Sequence, residues 1–347
     1  MKENYQTILF EGIASQLKSK ANSIGQLYGS AMSLAIAECL IKSNNMMVVI
    51  TPNIEASETL LNEINFFNQT NKVIEVLPDL EILPYDISPP NIDTVSKQSN
   101  ILYKLAHKKI DLLIVSATNL LWRLPPKEYI KNGSLELNIN QIFNIDALRN
   151  QLTSSGYKRV SMVKNPGDFS IRGSLVDLFS PSLDDPLRVD FSDDIIDSLR
   201  IFDSENQLTL RKVDQAMIIP ANHYPNSSEA FDIFKENMRN SFEGNQMDWP
   251  LYNLIETDAA SYGVHNYIPL FFKSMDSIWD YVEDNAHIYC MSESIESIRV
   301  HQKLIEERYE SVKENDQPMM KPNDLFINSN AQIEIIKSKE PVTLQSV

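Results

Sequence analysis

The chain has 347 residues, 43% of them hydrophobic and 22% charged, with a formal net charge of −16. That composition belongs to a globular protein long enough for two or three domains. It excludes a broad DNA-binding surface, which needs clustered Lys and Arg to neutralise phosphates. No apolar run reaches the ~20 residues of a membrane span, and Met1–Gln6 lacks the apolar core of a secretory signal, so a cytoplasmic protein without membrane contact is expected. The chain stops at Gln345-Ser346-Val347 as a piece of a longer protein would.

In chain order, residues 26–33, Gln-Leu-Tyr-Gly-Ser-Ala-Met-Ser, run into the apolar helix Leu34–Ile41. A nucleotide-binding chain places its phosphate loop, G-x-x-x-x-G-K-[ST], at such a point. The glycines let backbone N–H groups approach phosphate, the lysine meets the β/γ oxygens and the hydroxyl holds magnesium. Here Gln26 and Ala31 replace the two motif glycines and Met32 replaces the lysine; Gly29 and Ser33 are what remains. A thioether offsets no phosphate charge, so the loop is expected to be non-functional.

Met46–Ile50 then reads as a strand, Glu55–Phe67 as a helix with apolar positions at 60, 61, 64 and 67, Val73–Val76 as a strand, Leu83–Pro90 as an irregular loop, Ser99–Ala106 as a helix and Asp111–Val115 as a buried strand. Alternation of this kind predicts a parallel sheet covered on both faces. The pattern changes near Asn132-Gly133-Ser134. A helix at 145–156 precedes strands at 157–163, 169–172, 174–179, 187–191 and 195–203, an antiparallel hairpin series and so a separate α+β module. After Pro220 the text turns helical and loop-rich, and Pro318–Asp324 reads as a linker or surface loop. Cys39 and Cys290 read as buried thiols of a reducing compartment. The five histidines show no metal-ligand spacing, and Ser33 and Ser116 have no neighbouring base, so no catalytic residue is assigned.

The hairpin module carries Asn165-Pro166-Gly167-Asp168-Phe169-Ser170-Ile171-Arg172-Gly173-Ser174-Leu175-Val176-Asp177-Leu178-Phe179, then Leu187-Arg188-Val189-Asp190-Phe191-Ser192. An R-G-x-x-x-D-[LI]-F strand followed by R-[VI]-[DE]-F resembles the second domain of bacterial transcription-repair coupling factors (the Mfd family) and of the excision-repair helicase UvrB. Leu83-Pro84-Tyr85-Asp86 with Ser88-Pro89, and Tyr262–Tyr267 with Pro269–Phe272, resemble the coupling factors too. The likeness covers essentially the whole chain.

The resemblance implies the N-terminal UvrB-homology module: α/β, with degenerate RecA-like lobes derived from phosphate-loop NTPases over 1–133 and 220–347, and the α+β hairpin domain over 134–219. It implies that the strand at His287–Cys290 precedes the family's acidic ATPase motif, where Met291 and Ser292 now stand, so the magnesium-binding aspartate and catalytic glutamate are absent. ATP and magnesium are then expected only in motor domains outside this chain. There is no room after Pro89-Pro90 for UvrB's DNA-clamping hairpin.

In the family the hairpin domain binds the damage-sensing ATPase UvrA. Arg172 and Arg188 match contacting arginines, and Ser192 stands where an aromatic contact is found. On its own, an arginine beside a glycine in a hairpin is solvated or in a surface pair worth ~0–1 kcal/mol; the resemblance favours docking, with two guanidinium forks on neighbouring strands gripping one acidic patch. Phe179, Phe191 and Asp177 read as core and turn residues. The parent is expected to translocate DNA and displace stalled RNA polymerase, with polymerase and DNA held by other domains and the UvrA face masked by C-terminal ones. The alternatives are a structural or autoregulatory scaffold without UvrA affinity, and an active helicase fragment.

Overall fold

A computed structural model describes residues 23–25, 27–68, 70–258, 262–315 and 317–345. Strands β1 (Ser23–Ile24), β2 (Met47–Thr51), β3 (Ile74–Leu77) and β4 (Leu112–Ser116) lie in the first third of the chain. Next come β5 (Leu135–Asn138), β6 (Lys158–Arg159), β7 (Asp168–Arg172), β8 (Leu175–Leu178), β9 (Leu187–Ser192), β10 (Ile195–Phe202), β11 (Thr209–Val213) and β12 (Gln215–Ile218). β13 (His287–Met291) and β14 (Val342–Leu344) close the chain.

These strands build three sheets. One has six strands in the order β1-β14-β13-β2-β4-β3, and every pairing in it is parallel. β2 and β4 are buried at every position. Their side chains alternate between faces: Val48, Ile50, Leu113 and Val115 join one apolar cluster, while Met47, Val49, Leu112 and Ile114 join another on the opposite side. The expected parallel sheet covered on both faces is present. Its two halves are not separable, because β13 pairs with β2 and β14 pairs with both β13 and β1. Residues 23–116 and 287–344 form one sheet rather than two lobes, since a buried parallel strand needs a hydrogen-bonding neighbour on each side.

Local capping sets the helices around this sheet. Asn53 caps Ile54–Phe67 by accepting from the Ala56 N–H at 2.9 Å. Asn91 does the same from the Asp93 N–H at 2.8 Å, so that helix begins at Ile92, earlier than the apolar stripe from Ser99 indicated. Leu83–Pro90 is irregular as expected, and buried Tyr85 within it holds a left-handed φ of 64°. Its ring meets Tyr309 and Phe326. Pro318–Asp324 is not a linker: Met319 and Met320 are buried in the main core and Pro322–Leu325 is a helical turn. The two methionines are apolar filling, a role that the surrounding Pro, Lys and Asn residues hide in the sequence.

The second sheet runs β11-β10-β9-β8-β7-β6 and is antiparallel except that β6 lies parallel to β7. Only Lys158–Arg159 of the expected strand 157–163 pairs; the loop that follows turns back through Asn165-Pro166-Gly167, so β7 runs in the direction of β6. Helix Ile145–Ser154 packs Leu148 and Leu152 into this module's own core. β5 and β12 form a separate antiparallel pair.

The connector after the module is held back against it: Tyr157 Oη donates to Ile219 O at 2.7 Å, and Ala221 N donates to Ser155 O at 2.8 Å. Buried His223 lies in this connector, and desolvation pushes its pKa down to about 4. A histidine held neutral contributes stability above its ordinary pKa of ~6.5 and loses it as pH falls through the folded value. His223→Gln is therefore expected to flatten the decline in unfolding free energy, measured by urea denaturation, between pH 6.5 and 4, by about 3 kcal/mol over that window at ~1.4 kcal/mol per pKa unit; equal declines in both proteins would refute the assignment.

Candidate docking face and helix-entry segment

The strand alternation of the second sheet sorts its side chains. Phe169, Val176, Val189, Phe191, Ile196 and Leu199 point into the module core. Their neighbours Arg172, Asp177, Arg188, Asp190, Ser192 and Arg200 therefore lie on the outer face. Asp177 sits opposite Arg188 in the β8–β9 register and one step diagonally from Arg172 across the β7–β8 hairpin.

Asp177 is a strand residue and the hub of this face, not a turn residue. Arg188 donates Nε to Asp177 Oδ1 at 2.7 Å and Nη2 to Oδ2 at 2.9 Å, a bidentate fork. Arg172 adds a longer Nη2 contact to Oδ2 at 3.4 Å. The carboxylate pushes the Arg188 guanidinium pKa further up, and the guanidinium carbon also stands 4.6 Å from the Phe202 ring centroid. Side-chain exposure separates the two arginines: 19% for Arg188 and 56% for Arg172, against 5% for Asp177. Arg188 is thus a buttress and Arg172 the arm that faces solvent. The two do not stand on neighbouring strands, because β8 lies between them and brings its own carboxylate. Beyond them Arg200 donates to Asp190 at 3.1 Å, and Ser192 is exposed at the end of β9.

The sequence pattern contained the signal for Asp177. A two-residue Gly173-Ser174 turn pairs Arg172 with Leu175, which puts position 177 on the arginine's face.

The segment matched to a phosphate loop leads into helix Ala31–Lys42. Gln26 lies outside the described residues. Gly29 adopts a left-handed φ of 55°, Ala31 opens the helix, and Met32 packs on the apolar cluster around Ile36 and Leu40. Ser30 donates its hydroxyl to Glu63 Oε1 at 3.0 Å, and Ser33 donates to Glu63 Oε2. A carboxylate from helix Ile54–Phe67 thus meets the first turn, the end of a helix that favours anions. Met291 packs on the same cluster as Met32, and the Ser292 N–H donates to Leu344 O at 3.0 Å. Met32 and Met291, the two methionines of the segments singled out in the sequence, thus pack on one apolar cluster.

Residues 135–224 match the UvrB interaction domain family. The chain is 34% identical over 249 residues to the transcription-repair-coupling factor of Escherichia coli (strain K12), covering 72% of this chain and 22% of that protein. It is 28% identical over 326 residues to the Haemophilus influenzae transcription-repair-coupling factor, covering 93% and 28%, and 30% identical over 230 residues to that of Staphylococcus aureus (strain USA300), covering 66% and 20%. The chain spans about a quarter of the length of these curated relatives.

A parallel α/β unit carrying an inserted UvrB interaction domain defines the class: the molecule is UvrB-like. Within that class it corresponds to the N-terminal UvrB-homology module of a transcription-repair-coupling factor.

Proposed function

We propose that this module serves transcription-coupled nucleotide excision repair as a non-catalytic docking platform that recruits UvrA. The observation that carries the reading is the outer face of the UvrB interaction domain, where Arg172 is solvent-facing while its partner carboxylate is already braced by Arg188. A guanidinium positioned this way can fork onto a carboxylate of a partner with little loss of side-chain freedom. Arg188 acts by holding Asp177, and Ser192 marks the far end of the same face.

The α/β unit is the scaffold, a RecA-like nucleotide fold without its chemistry. Met32 in place of lysine, Met291 and Ser292 in place of acids, and Glu63 against the helix N-terminus all oppose nucleotide phosphate. The whole protein is an ATP-dependent DNA translocase acting on stalled RNA polymerase in the cytoplasm. Its ATP, magnesium, DNA and polymerase sites lie in other domains, and its C-terminal domains mask the UvrA face at rest. Among the described residues no helix is long and apolar enough to cross a membrane.

Calorimetric titration of this chain with purified UvrA tests the reading: saturable binding that Arg172→Ala weakens at least about tenfold is expected, a loss of ~1.4 kcal/mol or more. No binding by the wild-type chain would overturn docking and leave the structural scaffold. Titration with ATP and magnesium is expected to give no saturable heat; a saturable signal would overturn the non-catalytic reading.

A further inference from the structure

The β9–β10 hairpin tip, Ser192-Asp193-Asp194-Ile195, exposes isoleucine where a solvated turn needs none. Ser192 pairs directly with Ile195, so the two side chains share the outer face with Arg172 and Arg188. Ile142 forms an isolated antiparallel bridge to Ile195, which sets two β-branched side chains side by side. Ile142 is 79% exposed and Ile195 43%. The next residue, Ile196, is fully buried in the module core, so the outward position of Ile195 is fixed by register rather than by fraying.

The tip is also clamped. Phe143 N donates to Asp194 O at 2.7 Å, Asn140 N to Ile196 O at 2.8 Å and Ile196 N to Gln141 O at 3.0 Å. Asn144 Nδ2 adds a bond to Asp194 Oδ1 at 2.9 Å. Asp193 and Asn140 take left-handed φ values of 55° and 65° within this arrangement. A rigid tip that presents stiff apolar side chains loses little conformational entropy on binding.

Single exposed apolar residues are ordinary on protein surfaces. A bridged pair on a hydrogen-bonded platform is different, more so about 13 Å along β9 from Arg188, at ~3.3 Å per residue. Ser192 itself offers an interface almost no apolar area.

We propose that Ile142 and Ile195 are the apolar anchor of the docking face, making it bipartite: the exposed Arg172 beside the β7–β8 turn and an isoleucine pair beside the β9–β10 turn, across the strands at the same end of the sheet. The inference rests on the docking reading above and gives the partner surface its chemistry. UvrA would present a carboxylate to Arg172 and an apolar socket to the two isoleucines, with a basic rim opposite exposed Asp193.

Calorimetry with purified UvrA, run on the wild type, Ile142→Ser, Ile195→Ser, the double Ser variant and Arg172→Ala, tests it, with urea midpoints as the folding control. The double variant is expected to bind at least about tenfold more weakly than wild type. If Ile195→Ser lowers the urea midpoint, Ile142→Ser decides alone, because that side chain contributes little to the core. Isoleucine variants that bind like wild type while Arg172→Ala is impaired would overturn the anchor and leave the docking reading standing. Loss in the isoleucine variants with Arg172→Ala unimpaired would uphold the anchor and remove the guanidinium from the interface. No binding by wild type would remove both.

Discussion

Asp177→Asn is expected to lower the unfolding free energy by about 2–3 kcal/mol, because it leaves the largely buried Arg188 guanidinium without its bidentate carboxylate. The cost arises from the stranded charge more than from the lost contact, which makes a second variant informative. Asp177→Leu combined with Arg188→Met removes both charges and leaves the arginine's place against Phe202 filled by an apolar chain. That double variant is expected to recover most of the lost stability, since replacing a buried pair by apolar residues is often neutral. Urea denaturation of the three proteins gives the comparison. A double variant as unstable as the single one would mean that Asp177 acts through something other than Arg188. UvrA binding is expected to stay impaired in the double variant despite restored stability, because Arg172 loses the carboxylate that orients it. Stability and docking thus separate at this residue.

Legibility in the sequence followed the range of the interactions. β2 and β4 were legible because each is a short apolar run with turn residues beside it, and burial on both faces leaves no polar alternation to confuse the reading. The run from β7 to β10 was legible as short β-prone segments in quick succession, with the Ser192-Asp193-Asp194 turn among those separating them. Three things depended on partners that their own residues do not announce, two of them distant in the chain. β14, with three residues, is a strand because β13 and β1 flank it. β11 carries an exposed Thr-Leu-Arg-Lys run and gains its identity from the edge of β10. Glu63 reads as an ordinary solvated helix residue, yet its carboxylate meets two serines some thirty positions earlier. At the candidate site the arginines were visible by pattern, whereas the side chain that sets their geometry, Asp177, required the register of β8 against both neighbours.

The topology makes a stronger prediction about which pieces fold alone. The apolar cluster of the hairpin module is drawn entirely from residues between Leu137 and Ala221. The two clusters flanking the parallel sheet mix the first third of the chain with the last: Val48 and Ile50 with Ile288, Ile298 and Ile333 on one side, Met47 and Val49 with Tyr289 and Leu344 on the other. A 135–224 chain is therefore expected to unfold cooperatively and to bind UvrA, while a 1–133 chain is expected to lack a cooperative transition, since β2 loses β13 and β1 loses β14. The converse is the sharper test. Leu135 and Ile218 are paired across β5 and β12, so the two ends of the insertion stand about 5 Å apart, and a short Gly-Ser linker can join residue 134 to residue 219. That excised chain is expected to retain a cooperative urea transition and to show no UvrA binding. Loss of the transition on excision would mean that the parallel unit depends on the module for its core, and binding by the excised chain would move the docking surface off the hairpin sheet altogether.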